Sequence, residues 1–257
     1  MPDAPKIIFI VPYKNREEQK FVFQKYMEYI LEDYKKNEAV IYFVEQLDNR
    51  DFNRGAVKNI GFLAIRDRYP NSYKQITLVF NDVDTFPYKK NILNYKTTPG
   101  VIKHFFGFET TLGGIFSITG GDFEKIKGFP NFWTWGYEDN YIYNKAIKSN
   151  SIIVDRSTFY KIFDHRIVHM TDSLKRTINT KQLNSNDPIV ESSNNFDSIG
   201  NLHYEFHGNK IVIFNFDIFL PYTEEVSYYE MNLTDNPNDT HKMKLKLNNN
   251  MNFMKFS

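Results

Sequence analysis

Apolar runs and amphipathic stretches alternate along the first third of the chain. Residues 6–11, 40–44 and 76–80 are short apolar runs, rich in the β-branched and aromatic residues that favour strands. Between the first two, residues 16–36 carry apolar side chains at helical spacing, and Asn53 is a suitable N-cap for a second helix. Strands that alternate with helices in this way predict an α/β fold with a mostly parallel sheet.

The pattern changes after residue 95, where glycines interrupt short apolar runs and indicate tight turns. Residues 170–201 are rich in Ser, Asn, Thr and Asp, which predicts a long mobile loop of the kind that often forms a lid. A last apolar strand, 210–220, precedes an Asn- and Lys-rich tail. We therefore expect one domain over 1–222, with halves 6–95 and 96–222, followed by a loosely ordered polar tail, 223–257.

Composition narrows the classes of partner. The 257 residues include 32 Lys and Arg against 31 Asp and Glu, so no net field favours nucleic acid, and we expect no nucleic-acid partner. The absence of cysteine excludes disulfides and thiolate metal sites. The N-terminal apolar run is too short for a signal peptide or a membrane span. These features lead us to expect a cytoplasmic or otherwise non-anchored chain.

Two aspartates directly follow the third apolar run. Because side chains alternate along a strand, Asp82 and Asp84 are expected to point the same way at the carboxyl edge of the sheet. Paired carboxylates there favour a divalent cation, Mn²⁺ or Mg²⁺, that bridges nucleotide phosphates. The alternative is a solvated turn in which Asp82 caps a backbone amide, and an isolated aspartate pair favours that reading.

Three further segments carry candidate chemistry. The loop "VPYKNR" places Lys14 and Arg16 beside loop amides, which suits a nucleoside diphosphate or an ordinary helix start. The segment "FNRG" adds Arg54 near the same edge. The segment "WTWGYEDN", residues 133–140, combines two indoles with an acidic pair, as in sugar sites, although buried structural tryptophans are common.

The order of five segments resembles the β-1,4-galactosyltransferases and their relatives that transfer N-acetylgalactosamine or build xylose-linked galactose. The segments are "IIFIVPYKNREEQ", "FNRGAVKNIGF", "VFNDVDTFP", "GGIFSITGGDFEKIKGFPNFWTWGYEDN" and "IVHMTD", and they extend over about residues 6–222. The resemblance implies a GT-A type fold, a Rossmann-like nucleotide-binding mixed sheet with an acceptor-binding lobe and a mobile lid loop. It also implies inverting, metal-dependent transfer of Gal or GalNAc from a UDP-sugar to a carbohydrate acceptor, with a β-1,4 linkage.

The resemblance also implies roles for individual residues. Asp139 would deprotonate the acceptor hydroxyl, and Glu138, Asn140 and Trp135 would hold the acceptor. Asp84 and His169 would bind the metal. The UDP-sugar would contact a larger set: Pro12, Tyr13, Lys14, Arg16, Arg54, Asp82, Val83, Thr111, Gly114 and Trp135.

Three positions depart from the family pattern. Arg166 stands where well-known members have a methionine ligand, so His165 becomes a candidate third ligand, with a hydrogen-bonded, partly buried histidine as the alternative. Asn140 replaces an aspartate that contacts the acceptor, so the acceptor sugar does not carry over. Thr111 replaces a tyrosine that crowds the donor, which predicts space for an N-acetyl group.

Family members usually have a Golgi membrane anchor and disulfides, and this sequence has neither feature. A bacterial or viral origin is therefore expected; the alternative is a trimmed form of a longer chain, which the start at Met1 disfavours. Two other functions remain open from the sequence. One is a glycan-binding relic that has lost turnover, which Arg166 and Asn140 suggest. The other is a metal-dependent phosphohydrolase, which the absence of a second metal cluster or a nucleophile motif disfavours.

Overall fold

The computed structural model describes residues 4–170, 175–179, 194–222, 224 and 228–232. Four helices are defined there: α1 (Glu17–Ile30), α2 (Arg54–Arg68), α3 (Gly120–Lys125) and α4 (Glu138–Lys148). The strands, in chain order, are β1 (Ile7–Tyr13), β2 (Ala39–Gln46), β3 (Thr77–Asn81), β4 (Thr85–Pro87), β5 (Val101–Gly107), β6 (Ile115–Thr119), β7 (Ile153–Asp155), β8 (Tyr160–Lys161), β9 (Ile167–His169), β10 (Lys175–Asn179), β11 (Gly200–His207), β12 (Lys210–Asp217) and β13 (Tyr228–Asn232).

Most of these strands form one mixed sheet in the order β11-β12-β2-β1-β3-β6-β5-β7, and β8 also pairs with β5. The strands β12, β2, β1 and β3 are parallel, whereas β6 runs antiparallel to both β3 and β5. The strands after residue 95 thus extend the first sheet, and the expected mostly parallel sheet is mixed. Two short antiparallel pairs, β4 with β9 and β10 with β13, complete the described strands.

Two apolar cores cover the two faces of the sheet. Alternate residues of β1 enter different cores: Ile8 and Ile10 pack with α2, whereas Phe9 and Val11 pack with α1. Helix α1 leaves one face exposed, whereas α2 is buried on all sides from residue 55 to residue 65. The start of α2 therefore lies inside the protein, next to the carboxyl ends of β1 and β3.

The predicted strands and helices of the first third are confirmed, with shifted ends. Asn53 caps α2, since its side chain accepts a hydrogen bond from Ala56 N. The strand β1 continues through Pro12, although proline lacks an N–H; its pairing with β3 ends at Ile10, so only β2 accompanies it there. Helix α1 ends at Ile30, short of the predicted residue 36.

The predicted lid and tail fall largely outside the described residues, which exclude 171–174, 180–193 and 233–257. Within the predicted lid, β10 is a strand, and Phe196 is buried against Phe62 of α2 with ring centroids 5.3 Å apart. Within the predicted tail, β13 pairs with β10. No helix among the described residues is long and apolar enough to cross a membrane.

Candidate active site

The two aspartates after β3 occupy a turn. The strand ends at Asn81, and Thr85 N donates a hydrogen bond to Asp82 O at 3.2 Å. The alternation argument for Asp82 and Asp84 is therefore wrong, because it requires extended backbone. Asp82 Oδ1 instead accepts a hydrogen bond from Arg54 Nη2 at 2.5 Å.

Arg54 and Lys58 lie one turn apart on α2 and face the start of α4. Arg54 Nη1 is 2.7 Å from Glu138 Oε1 and 3.8 Å from Asp139 Oδ2. The contact with Glu138 is a charge pair without an aligned hydrogen bond. Lys58 Nζ donates to Asp139 Oδ1 at 2.9 Å. We call these four residues, together with Asp82, the charge cluster.

Burial makes the charges of this cluster depend on each other. The side chains of Arg54, Lys58 and Glu138 are only 11%, 2% and 3% exposed. Burial disfavours the Arg54 charge, but Asp82, Glu138 and Asp139 outweigh it and raise the pKa of Arg54. Burial likewise opposes ionisation of Asp82, yet Arg54 and Lys58 keep its pKa below the ordinary value. For Glu138 burial prevails and raises the pKa.

The loop of residues 111–114 forms hydrogen bonds with both acidic segments of the site, the turn that carries Asp82 and the start of α4 that carries Asp139. Leu112 N donates to Asp139 O at 2.9 Å, and Asp82 N donates to Gly114 O at 3.0 Å. A Cβ at Gly113 would lie 2.6 Å from Asp139 Oδ2, so only glycine allows this approach. Gly114 has a φ of +70°. The loop therefore holds the Asp82 turn and the start of α4 at a defined separation.

A buried histidine supports the same loop. His104 Nδ1 accepts from Arg156 Nε at 3.1 Å, and His104 Nε2 lies 3.1 Å from the carbonyl oxygens of both Phe106 and Gly113. Because carbonyls only accept, Nε2 carries the proton and the ring is neutral. Burial, with Arg156 beside it, lowers the pKa of His104 to about 4. Arg156 Nη2 also donates to Thr111 O at 3.3 Å.

Backbone hydrogen bonds bring together the segments of Asp84 and His169, two of the residues predicted to bind metal. Thr85 pairs with His169 in the β4–β9 ladder, and Met170 N donates to Asp84 O at 2.8 Å. We call Asp84, β4 and β9 the metal arm. His169 Nδ1 is buried and has no hydrogen-bond partner among the described residues. The backbone contacts bring these two residues close in the fold, and a carboxylate and an imidazole with an unpaired nitrogen are ligand types that suit Mn²⁺ or Mg²⁺, so the residue types present are compatible with a divalent cation.

His165 lies away from this pair. Tyr88 N donates to Arg166 O at 2.8 Å, so the ladder extends to Arg166 at the end opposite Asp84. His165 precedes Arg166, and its side chain is 90% exposed. Arg166 makes hydrogen bonds of 2.9 Å and 2.7 Å with Asp164. The structure does not bring His165 to Asp84 and His169, because His165 lies in the turn of residues 164–167, where Ile167 N donates to Asp164 O at 3.0 Å, before β9 begins.

The residues at the end of β1 contribute mainly backbone. Pro12 is buried, and Tyr13 is fully buried, with its ring edge against Phe43 at 6.2 Å. Val83, in the turn after β3, is buried in the core on the α1 side. Lys14 Nζ donates to Asp48 O, and Arg16 occupies the N-cap position of α1.

The two tryptophans differ. Trp133 is 1% exposed, stacks on Phe216 at 5.1 Å, and donates from Nε1 to Leu220 O at 3.1 Å. Of the two readings left open for the indoles, the buried structural one therefore applies to Trp133. Trp135 is partly exposed, beside Gly136, where an added Cβ would meet no atom within 4 Å. Trp135 and Gly136 thus border open space next to the charge cluster.

The segment after Trp135 leads directly into α4. Tyr137 has a left-handed φ of 66°, and Asn140 N donates to Tyr137 O at 3.0 Å. This turn puts Glu138 and Asp139 in the first turn of α4, where the helix dipole favours negative charge. Asn140 is partly exposed on the same helix.

Sequence reasoning missed Lys58, Gly113 and His104. A signal for Lys58 was present, since a lysine four residues after Arg54 on an otherwise apolar helix lies on the same face. Gly113 and His104 gave no comparable signal, because their roles depend on contacts with Asp139 and Arg156 that are distant in sequence.

Comparisons with known proteins bear on the family and the fold of the chain. Residues 3–96 match the family model for the N-terminal region of glycosyl transferase group 7, and residues 102–169 match the model described as the N-terminal domain of galactosyltransferase. Beta-1,4-galactosyltransferase 6 of Rattus norvegicus is 31% identical over 153 residues, which are 55% of this chain and 38% of that protein. Xylosylprotein 4-beta-galactosyltransferase of Caenorhabditis elegans is also 31% identical over 153 residues, 56% of this chain and 51% of that protein.

The alignments thus span between about four tenths and half of the length of these curated relatives. Among solved structures, the catalytic domain of Drosophila beta1,4galactosyltransferase 7 with xylobiose has a TM-score of 0.63 at 20% identity, covering 84% of this chain and 94% of that one. A mutant of that enzyme with manganese, UDP-Gal and xylobiose has a TM-score of 0.59 at 18% identity, with the same coverage. These likenesses confirm the GT-A fold. With both family models matched in order over more than half of its residues, the chain belongs to the β-1,4-galactosyltransferase family.

Proposed function

We propose that this protein is an inverting, metal-dependent glycosyltransferase that moves Gal or GalNAc from a UDP-sugar to a sugar hydroxyl and forms a β-1,4 linkage. The observation that carries the proposal is the charge cluster, which gathers Arg54, Asp82, Glu138 and Asp139 at the carboxyl edge of the sheet. Membership of the family supports the same activity. Residues 1–222 would act as one catalytic domain.

Asp139 is the base in this proposal. Its side chain is 18% exposed, so a hydroxyl can reach it, whereas Glu138 is nearly buried. Asp139 takes the proton of the acceptor hydroxyl while the hydroxyl oxygen bonds to the anomeric carbon. The bond from that carbon to the phosphate oxygen breaks, and UDP leaves with the electron pair. Attack opposite UDP inverts the configuration.

Asp84 and His169 would hold Mn²⁺, with Mg²⁺ as the alternative. When bound, a divalent cation supplies positive charge that offsets the charge developing on the departing diphosphate. The Drosophila relative with manganese, UDP-Gal and xylobiose supports a metal, a nucleotide-sugar donor and a carbohydrate acceptor as partners. The backbone at Pro12, Tyr13, Val83 and Gly114 would line the donor, together with Lys14, Arg16, Arg54 and Asp82.

Thr111 would set the choice of donor sugar. Its hydroxyl donates to Phe108 O at 3.3 Å, and its side chain is short and folded onto its own loop. This leaves more room near Gly113 and Gly114 than a tyrosine would. We therefore propose that UDP-GalNAc is used at least as well as UDP-Gal, with Trp135, Glu138 and Asn140 contacting the acceptor.

The test is UDP release from a panel of UDP-sugars with a mixed monosaccharide acceptor pool, in Mn²⁺ and in chelator. The proposal predicts release with UDP-Gal or UDP-GalNAc that requires both the metal and an acceptor. Strict use of galactose would contradict the role of Thr111 alone. No release with any donor would contradict the proposed enzyme.

A glycan-binding relic is the second candidate, because Asn140 lacks a charge and Arg166 is engaged with Asp164. It predicts that sugar binds equally well with and without Mn²⁺ and that UDP is never released. Equilibrium binding of the same sugars in chelator distinguishes the two candidates. A cytoplasmic location and a bacterial or viral origin stay predictions from the sequence.

A further inference from the structure

Lys58 is a buried lysine. It lies on the wholly buried part of α2, its side chain is 2% exposed, and its Nζ is 4.5 Å from the ring centroid of Phe129. A lysine buried to this extent loses hydration, and its charge persists only beside a partner. The partner is Asp139, whose Oδ1 lies 2.9 Å away.

The two oxygens of Asp139 have different surroundings. Oδ1 accepts the Lys58 hydrogen bond. Oδ2 lies 3.8 Å from Arg54 Nη1, beyond hydrogen-bond distance, and faces the position where Gly113 has no Cβ. Because Oδ2 makes no hydrogen bond to either cation and the Asp139 side chain is 18% exposed, Oδ2 keeps lone pairs available to an incoming hydroxyl.

We infer that Lys58 is a positioning residue that anchors Oδ1 of Asp139, so that Oδ2 is the atom that receives the proton of the acceptor hydroxyl. This inference rests on the proposed transfer reaction. Lys58 itself touches no reacting atom; its hydrogen bond fixes the carboxylate rotamer. A fixed geometry of this kind favours the transition state more than it favours donor binding.

The groups that face Asp139 come from four segments of the fold. Lys58 and Arg54 approach from α2, Glu138 from α4 itself, and His104 from β5. The fourth segment is the turn after β3, where Asp82 pairs with Arg54 and is linked to Asp139 only through that arginine. His104 stays neutral above about pH 4. Removing Lys58 therefore takes away one of the two cations that oppose three carboxylates in this cluster.

The test compares Lys58→Met and Lys58→Gln with the unaltered chain, using steady-state sugar transfer and thermal melting. Lys58→Met should lower kcat by roughly tenfold or more, and the KM for the donor should stay within about twofold. Lys58→Gln keeps an N–H donor and should lose less kcat than Lys58→Met.

Lys125→Met is the matched control, because Lys125 also pairs with an aspartate, Asp122, at 2.9 Å, outside the site. It should leave kcat and the donor KM unchanged. Unchanged kcat in both Lys58 variants would overturn the inference while transfer by the unaltered chain stands. If Lys58→Met does not fold, Lys58→Gln alone decides, on kcat and the donor KM. Absence of transfer in the unaltered chain would overturn the proposed function and this inference with it.

Discussion

The charge cluster and the metal arm are assembled by different interactions. In the charge cluster, side chains from α2, the turn after β3 and α4 bind one another directly in a buried space. In the metal arm, Asp84 and His169 are brought together by backbone hydrogen bonds of the β4–β9 ladder. We therefore expect changes in the cluster to affect stability as well as the proposed chemistry, whereas a change to the Asp84 side chain should affect folding little.

Asp139→Asn should have the largest effect on activity. We expect kcat to fall by roughly 10² to 10⁴, the usual contribution of a general base, because an amide cannot accept the proton. The asparagine oxygen can still accept from Lys58 Nζ, so the fold and donor binding should persist. Transfer rate, UDP binding and thermal melting measure this. Asp197→Asn, an exposed carboxylate paired with Lys127, is the control; equal loss of UDP binding and transfer would show that Asp139 is structural.

Arg54→Met tests whether the cluster stabilises the fold. The change leaves Glu138 and Asp82 without their shared cation, and Glu138 is 3% exposed. Breaking a buried ion pair from one side costs about 3 to 5 kcal/mol. Denaturant unfolding should show a loss of this size, whereas Arg66→Met on the same helix should change stability far less. If the free energy of unfolding of Arg54→Met fell by less than about 1 kcal/mol, this would contradict the prediction and mean that water solvates the carboxylates left without their cation.

His104 predicts how stability varies with pH. The pKa of His104 is lowered from 6.5 to about 4 by burial and by Arg156, so the unfolded chain binds the proton first as the pH falls. The stability is therefore complete above pH 6.5 and is lost progressively towards pH 4, by roughly 3 kcal/mol. Unfolding free energies of the unaltered chain and of His104→Gln across this range measure the effect.

His104→Gln keeps an acceptor for Arg156 and donors for the carbonyls but does not titrate, so it should flatten the profile between pH 4 and pH 6.5. His203→Gln, at an exposed histidine, should leave the profile unchanged. Parallel profiles for the unaltered chain and His104→Gln would contradict the prediction.

Asp84→Asn should have the smallest effect on folding. Mn²⁺-dependent UDP binding should weaken by roughly tenfold to a hundredfold, a loss seen even when outer-shell partners of a metal are removed. Stability should change little, because Asp84 holds β9 through its backbone carbonyl. Titration calorimetry with and without Mn²⁺ measures this. His165→Ala should match the unaltered chain, and an equal loss in His165→Ala would restore His165 as a ligand.

Local pattern was sufficient for much of the fold. Apolar runs and the Asn53 cap predicted β1, β2, β3 and α2, because strand and helix periodicities are visible within a few residues. The strand β11 was missed, since its polar and apolar residues lie in a stretch without a clear boundary. The local pattern alone predicted a mostly parallel sheet, and only the family resemblance implied a mixed one, because the antiparallel pairing of β6 with β3 depends on contacts far apart in the chain.

The sequence by itself determined the family, the order of its motifs and the candidate residues Asp84, Asp139 and His169. These follow from the motifs and their spacing, which can be read without any knowledge of how the chain packs. Only the tertiary structure decided which charges meet. In the structure Trp133 lies in the core, whereas Trp135 is partly exposed. His165 lies outside the metal arm, and Lys58 pairs with Asp139, which is 81 positions away in the chain. The physical reason is that burial makes an ion pair obligatory, and burial is a property of the whole fold.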